Sequence, residues 1–173
     1  ELPTLIKESL KMLRSVIPTS IEIRRDLIMS GLIMSDPTQM HQLMMNLCTN
    51  AAHAMDEAGG VLSISLHKDH IDIETARSLD IAPGRYLKLS VSDTGQGMPP
   101  EIMKRIFEPY YTTKELGRGT GLGLSVVHGI VKSHGGTITS KSAHGEGTTF
   151  DVYLPELELA METPESKKEE AFP

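Results

Sequence analysis

The stretch Asp36-Pro37-Thr38-Gln39-Met40-His41-Gln42-Leu43-Met44-Met45-Asn46-Leu47-Cys48-Thr49-Asn50-Ala51-Ala52-His53-Ala54-Met55 decides the fold of this chain. Asp36 is a good N-cap, Pro37 suits a first helical turn and Gly59-Gly60 closes the pattern, so the spacing predicts a helix. At about 100° per residue, Gln42, Asn46, Asn50 and His53 share a sector of roughly 80°, with Leu43, Met44, Leu47, Ala51 and Met55 opposite. One face belongs to a core and the other is rich in amides.

Asparagine is a poor helix former because its side chain competes for backbone hydrogen bonds, so two of them one turn apart in mid-helix need a reason. Mg²⁺ keeps several waters and takes one or two protein oxygens, which the carbonyls of Asn46 and Asn50 can supply. A solvated helix face is the alternative. His53 lies on the same stripe, as a surface or capping residue or as part of the same site.

Downstream, Tyr86 to Asp93 reads as a strand whose period of two puts Leu87, Leu89, Val91 and Asp93 on one side. A carboxylate that follows three apolar residues inward needs donors. The glycines of Thr94-Gly95-Gln96-Gly97 allow tight turns and close approach of a flat ligand, and the exocyclic amine of adenine is a natural donor to Asp93. By itself this pattern also describes an ordinary turn.

The third chemical feature is Gly117-Arg118-Gly119-Thr120-Gly121-Leu122-Gly123-Leu124, with glycine at every second position before an apolar helix predicted over residues 122–134. Backbone N–H groups at a helix start favour anions. The spacing fits neither the dinucleotide fingerprint nor a Walker A loop. Lys114 and Arg118 bracket the start of the loop and are placed to neutralise phosphate charge. So many glycines also fit a flexible lid, or a plain surface loop.

Around these features, Leu2, Leu5, Ile6, Leu10, Leu13 and Ile17 predict a helix over residues 2–16, stopped by Pro18, followed by a strand over 19–28. Val61 to Leu66 is a further strand and residues 68–85 read as a long connection. Thr137 to Ser142 and Thr148 to Leu154 form a hairpin around His144-Gly145-Glu146-Gly147. Residues 1–155 make one domain, and the charged residues 156–173 read as a mobile tail or linker. The elements together predict a two-layer α+β sandwich.

The 173 residues carry a net charge of −6 and no basic run, which argues against broad nucleic-acid binding. Cys48 is the only cysteine, so internal disulfides and multi-thiolate zinc sites are out. The apolar stretches fall short of the roughly 18 residues that read as a membrane span. The chain opens at Glu1 without an initiator Met, as expected of a domain excised from a longer protein.

These residues resemble the GHKL superfamily of ATP-binding domains, and within it the sensor histidine kinases similar to nitrogen-regulation sensors, over residues 1–155. Asn46-Leu47-Cys48-Thr49-Asn50-Ala51 resembles the N box, Asp93-Thr94-Gly95-Gln96-Gly97 the G1 box and Phe107-Glu108-Pro109-Tyr110-Tyr111-Thr112-Thr113-Lys114 the F box. Gly119-Thr120-Gly121-Leu122-Gly123-Leu124 resembles the G2 box, and Gly145-Glu146-Gly147-Thr148 the turn before the last strand.

The resemblance implies the Bergerat fold, a mixed, mostly antiparallel sheet of about five strands with three helices on one face. It implies ATP and Mg²⁺ as cofactors, with Asn50 and Asn46 on the metal and Asp93 on the adenine amine. Residues 107–123 become the ATP lid. Gly95, Gly97, Met98, Phe107, Thr113, Gly117, Arg118, Gly119, Thr120, Gly121, Leu122, Gly123, Leu124 and Thr148 join His53 in contacting the nucleotide, and Asn46 and Lys114 stand nearest the transfer. The partners implied are a helical dimerisation domain bearing the phosphoacceptor histidine, from the same parent, and a response regulator. The expected setting is cytoplasmic, free or as the cytoplasmic part of a membrane-anchored sensor, with no nucleic acid and no membrane contact by this segment.

Two departures stand out. His53 occupies a position where related kinases commonly carry Lys, Arg or another polar group. None of His41, His53, His67, His70, His128, His134 and His144 is followed by the acidic residue of a phosphoacceptor box. ATP-hydrolysing relatives, such as gyrase, mismatch-repair ATPases and heat-shock 90 chaperones, place a water-activating Glu where this chain has Asn46. A neutral amide is no general base, so the expectation is phosphoryl transfer rather than hydrolysis. An ATPase fragment or a non-catalytic nucleotide-sensing module are the other readings.

Overall fold

Helix α1, Leu2–Leu13, turns Leu2, Ile6, Leu10 and Leu13 inward. It is shorter than predicted, because Val16 and Ile17 both donate to the Leu13 carbonyl and tighten the chain ahead of Pro18. Strand β1, Ile21–Leu27, follows, and then helix α2, Pro37–Met55, whose cap is the one expected: Asp36 accepts from the Thr38 N–H at 2.8 Å. The computed structural model describes residues 1–113 and 121–158 of the chain.

Among the described residues, five strands form one sheet in the order β1-β2-β3-β5-β4. They comprise β2, Gly60–Ile71, β3, Gly84–Asp93, β4, Thr137–Ala143, and β5, Gly147–Pro155. The β1–β2 ladder is parallel and the other three are antiparallel, which is the mixed, mostly antiparallel sheet expected. After β3 come a single helical turn, α4, Pro100–Met103, and helix α5, Gly123–Ser133, which packs with α1 and α2 on one face of the sheet. Leu43, Leu47 and Met44 from α2 meet Leu62, Leu87 and Leu89 from the sheet in one buried core. Burial of each such side chain contributes about 1.5–3 kcal/mol, so the amphipathic pattern of α2 orients the helix without help from its polar face.

Residues 68–85 are a correction to the sequence reading. They are not one long connection: β2 continues to Ile71 and a short helix α3, Ile73–Leu79, follows, capped by Asp72 on the Thr75 N–H at 2.7 Å. Polar Lys68, Asp69 and His70 hid the strand extension, since they alternate without an apolar face. Tyr86 and Tyr153, whose neighbours Leu87 and Leu154 enter the main core, face the other way and form a small second cluster with Ile71 and Ala76.

Of the segment 156–173, residues 156–158 are described and are held in place. Glu156 is nearly buried, with Lys68 Nζ at 2.6 Å, and the Leu157 N–H donates to the Leu32 carbonyl. The remainder of the segment lies outside the described residues. Among the described residues, no helix is long and apolar enough to cross a membrane.

Candidate functional site

The carboxylate of Asp93 ends the inward stripe of β3 and is 6% exposed. Its Oδ1 accepts the Gly95 N–H at 2.8 Å. The backbone N–H of Thr148, its register partner on β5, also donates to it. Burial pushes the carboxyl up from its ordinary value, and these two N–H donors pull the other way. A further donor arriving from a ligand favours the ionised form.

The loop after β3 lies across the last turn of α2. A Cβ on Gly95 would stand 2.5 Å from the Ala54 carbonyl oxygen, so only glycine fits this crossing. The Gln96 N–H donates to the same carbonyl at 3.0 Å. On its other side the loop is tied to the β4–β5 hairpin: the Gly145 N–H donates to the Gln96 carbonyl at 2.6 Å, and the Met98 N–H to Ser142 Oγ at 2.8 Å. The carboxylate thus sits where α2, β3 and β5 meet, with backbone rather than side chains forming the rim.

At the other end of the amide stripe, Asn46 and Asn50 converge on the start of α5. A Cβ built on Gly123 lies 3.5 Å from Asn46 Oδ1 and 3.8 Å from Asn50 Nδ2, so both amides border one spot. Thr49, between them in sequence, is turned away and donates to the Met45 carbonyl. Leu122, the N-cap of α5, supplies no side-chain cap to the first N–H groups of the helix. N–H groups at a helix start beside the Asn46 oxygen suit an anion together with its cation, and a turn of the Asn50 amide brings its oxygen to the same spot. The residues present therefore fit a hydrated divalent ion with phosphate oxygens.

The remaining predicted residues fall into four groups. Gly97 is pressed under the β4–β5 turn, and Gly121, at φ +68°, lies against the Tyr110 backbone, where a Cβ would be 2.5 Å from its carbonyl carbon. Phe107 packs inward, its ring centroid 5.4 Å from that of His128 and 6.4 Å from that of Phe150, while Met98 and Leu124 also lean on the core. These three position the site more than they line it. His53 is exposed on the last turn of α2, and Thr113 is exposed. Lys114, Gly117, Arg118, Gly119 and Thr120 lie outside the described residues.

Cys48 sits inside the N-box stretch but on the core face of α2. Burial pushes its thiol up to about 12. Native protein at pH 8 is therefore expected to resist iodoacetamide and to react only after unfolding; rapid stoichiometric alkylation of the folded chain, followed by mass, would contradict this placement.

Sequence reasoning passed over three participants. Ala54 acts through its backbone carbonyl, which no residue type announces. Tyr110 holds a left-handed φ of +64° beside Gly121. Ser142 shares the inward side of β4 with Ile138 and Ser140, and a hydroxyl at that end of an alternating strand was the available signal.

Residues 35–158 match the family described as histidine kinase-, DNA gyrase B-, and HSP90-like ATPase. The chain is 44% identical over 128 residues to the sensor kinase CckA of Brucella abortus, covering 72% of this chain and 13% of that protein. It is 42% identical over 123 residues to the sensor histidine kinase ZraS of Klebsiella oxytoca, covering 71% of this chain and 23% of that protein. The chain thus spans a quarter or less of the length of these relatives. Among solved structures, the catalytic domain of the histidine kinase ThkA superposes with a TM-score of 0.68 at 29% identity, covering 88% of this chain and 91% of that one. A mycobacterial sensor histidine kinase, MprB, at 22% identity and a TM-score of 0.72 over 90% of this chain and 95% of that one, shares the fold.

Proposed function

Because the chain belongs to the histidine kinase-, DNA gyrase B- and HSP90-like ATPase family, as a catalytic domain of the sensor-histidine-kinase type, we propose that it binds Mg·ATP and donates the γ-phosphoryl group to a histidine on a separate helical domain of its parent protein. The observation that carries this reading is that one helix, α2, brings Asn46 and Asn50 to the start of α5 while its last turn carries the Gly95–Gln96 loop beside the buried carboxylate of Asp93. That arrangement suits a ligand with an amino-bearing flat base at one end and anions at the other.

In this reading Asp93 receives the adenine amine, and the backbone rim from Gly95 to Met98 receives the flat base. Asn50 and Asn46 hold Mg²⁺, which supplies charge neutralisation at the phosphates when bound. The N–H groups at the start of α5 receive phosphate oxygens. Lys114 and Arg118 belong near the same phosphates. Phosphoryl transfer needs position and electrostatics more than covalent chemistry from the protein, which agrees with a site of amides and backbone donors.

The position one turn before Asn50 decides between transfer and hydrolysis. Asn46 is neutral there and accepts no proton from water, so the phosphoryl group is kept for an acceptor. A response regulator then receives it downstream, and the reaction takes place on the cytoplasmic side. Calorimetric titration with ATP, ADP and GTP, with and without Mg²⁺, followed by an overnight phosphate-release assay, tests the reading. Adenine-selective, Mg²⁺-assisted binding without release supports it, whereas steady turnover moves the assignment to an ATPase.

A further inference from the structure

The Ser142 hydroxyl meets three groups at once. It lies 2.8 Å from the Met98 backbone nitrogen, 2.9 Å from the Gly147 carbonyl oxygen and 2.8 Å from Thr148 Oγ1. A serine hydroxyl has one proton and two lone pairs. The Met98 N–H is only a donor and the Gly147 carbonyl only an acceptor, so the proton goes to Gly147 and one lone pair to Met98. The second lone pair faces Thr148, whose hydroxyl must then be the donor of that bond. Thr148 spends its single proton on Ser142 and offers only lone pairs elsewhere.

This matters because Thr148 is the register partner of Asp93 and both are buried. An ionised carboxylate also offers only lone pairs. The corner therefore presents two acceptors side by side. We infer that Ser142 is a positioning residue for base selection: by fixing the direction of the Thr148 hydroxyl, it makes the Asp93–Thr148 corner accept a base edge bearing an amino group and refuse one bearing a carbonyl. The inference rests on the nucleotide-binding reading above. A carbonyl oxygen brought to this corner finds no donor, and an unpaired buried polar group is the costly case.

The test is titration of the full chain with ATP and with inosine triphosphate, whose base carries a carbonyl in place of the amine. Ser142→Ala releases the Thr148 proton, which then turns to meet that carbonyl, and the ATP-over-inosine preference narrows about tenfold, the worth of one hydrogen bond. If Ser142 only braces the Met98 loop and the Gly147 turn, both nucleotides weaken in proportion and the ratio stays where it was. Ser142→Thr keeps the hydroxyl and the parent ratio. Thr148→Val, which removes one acceptor, narrows the preference by itself, and Ser142→Ala added to it leaves the ratio unmoved. An unchanged ratio in both single variants that still bind ATP overturns the inference while leaving the nucleotide reading intact. Absence of nucleotide binding in the parent chain overturns both.

Discussion

Replacing Asn50 with Ala is expected to weaken Mg·ATP binding by roughly 100-fold, or ~2.7 kcal/mol, and to erase the difference between titrations with and without Mg²⁺. The reason lies in the division of α2. Its apolar face fixes the helix on the sheet, and its amide face meets the start of α5 near Gly123. Removing one carbonyl leaves Mg²⁺ with Asn46 alone, and a small hard cation that dehydrates reluctantly binds poorly with too few fixed oxygens. Alanine is the better helix former, so the melting temperature should not drop with the affinity. Unchanged Mg²⁺ dependence in a folded Asn50→Ala chain, measured by calorimetry, would rule out the metal role.

Asp93→Asn is expected to separate binding from stability. The amide keeps an oxygen for the Gly95 and Thr148 N–H groups but loses the charge, so ATP affinity should fall by about 1.5–3 kcal/mol. Stability should move the other way. Burial raises the carboxyl in the folded chain above its unfolded value. A raised group binds more protons folded than unfolded, so its contribution to stability is present below the unfolded value and is lost as pH rises toward the folded one. At neutral pH the ionised Asp93 is therefore a cost to the ligand-free fold, and the Asn variant should melt at or above the parent temperature. ATP affinity in the parent should fall as acid protonates this carboxyl. A variant that melts lower, or an ATP affinity indifferent to both the substitution and acid, would contradict the assignment.

Much of the site was legible because its chemistry runs against local structural preference. Asn46 and Asn50 are poor residues for mid-helix, and Asp93 is a carboxylate at the end of an apolar stripe, so each stood out from its own element. The sheet and the three covering helices followed from apolar spacing, as Leu87, Leu89 and Val91 show. The extension of β2 through Lys68, Asp69 and His70 did not, because a polar strand end is fixed by its ladder to β3 and not by its side chains. Helix α3 is too short for a periodic pattern. Ala54 and Ser142 act through contacts made by chain segments far apart in sequence, the Gln96 N–H for one and Met98 with Gly147 for the other, and spacing along the chain carries no record of such meetings.

The proposed activity of this chain is phosphoryl donation to histidine. It is tested most directly by incubating the chain with Mg²⁺ and γ-labelled ATP together with the histidine-bearing helical domain of its parent protein, and then following label on the acceptor. Acid-labile, base-stable label that appears on that domain, and that is lost with Asn50→Ala, is the predicted result. Release of the label as free phosphate by this chain alone, with none on the acceptor, would contradict the account.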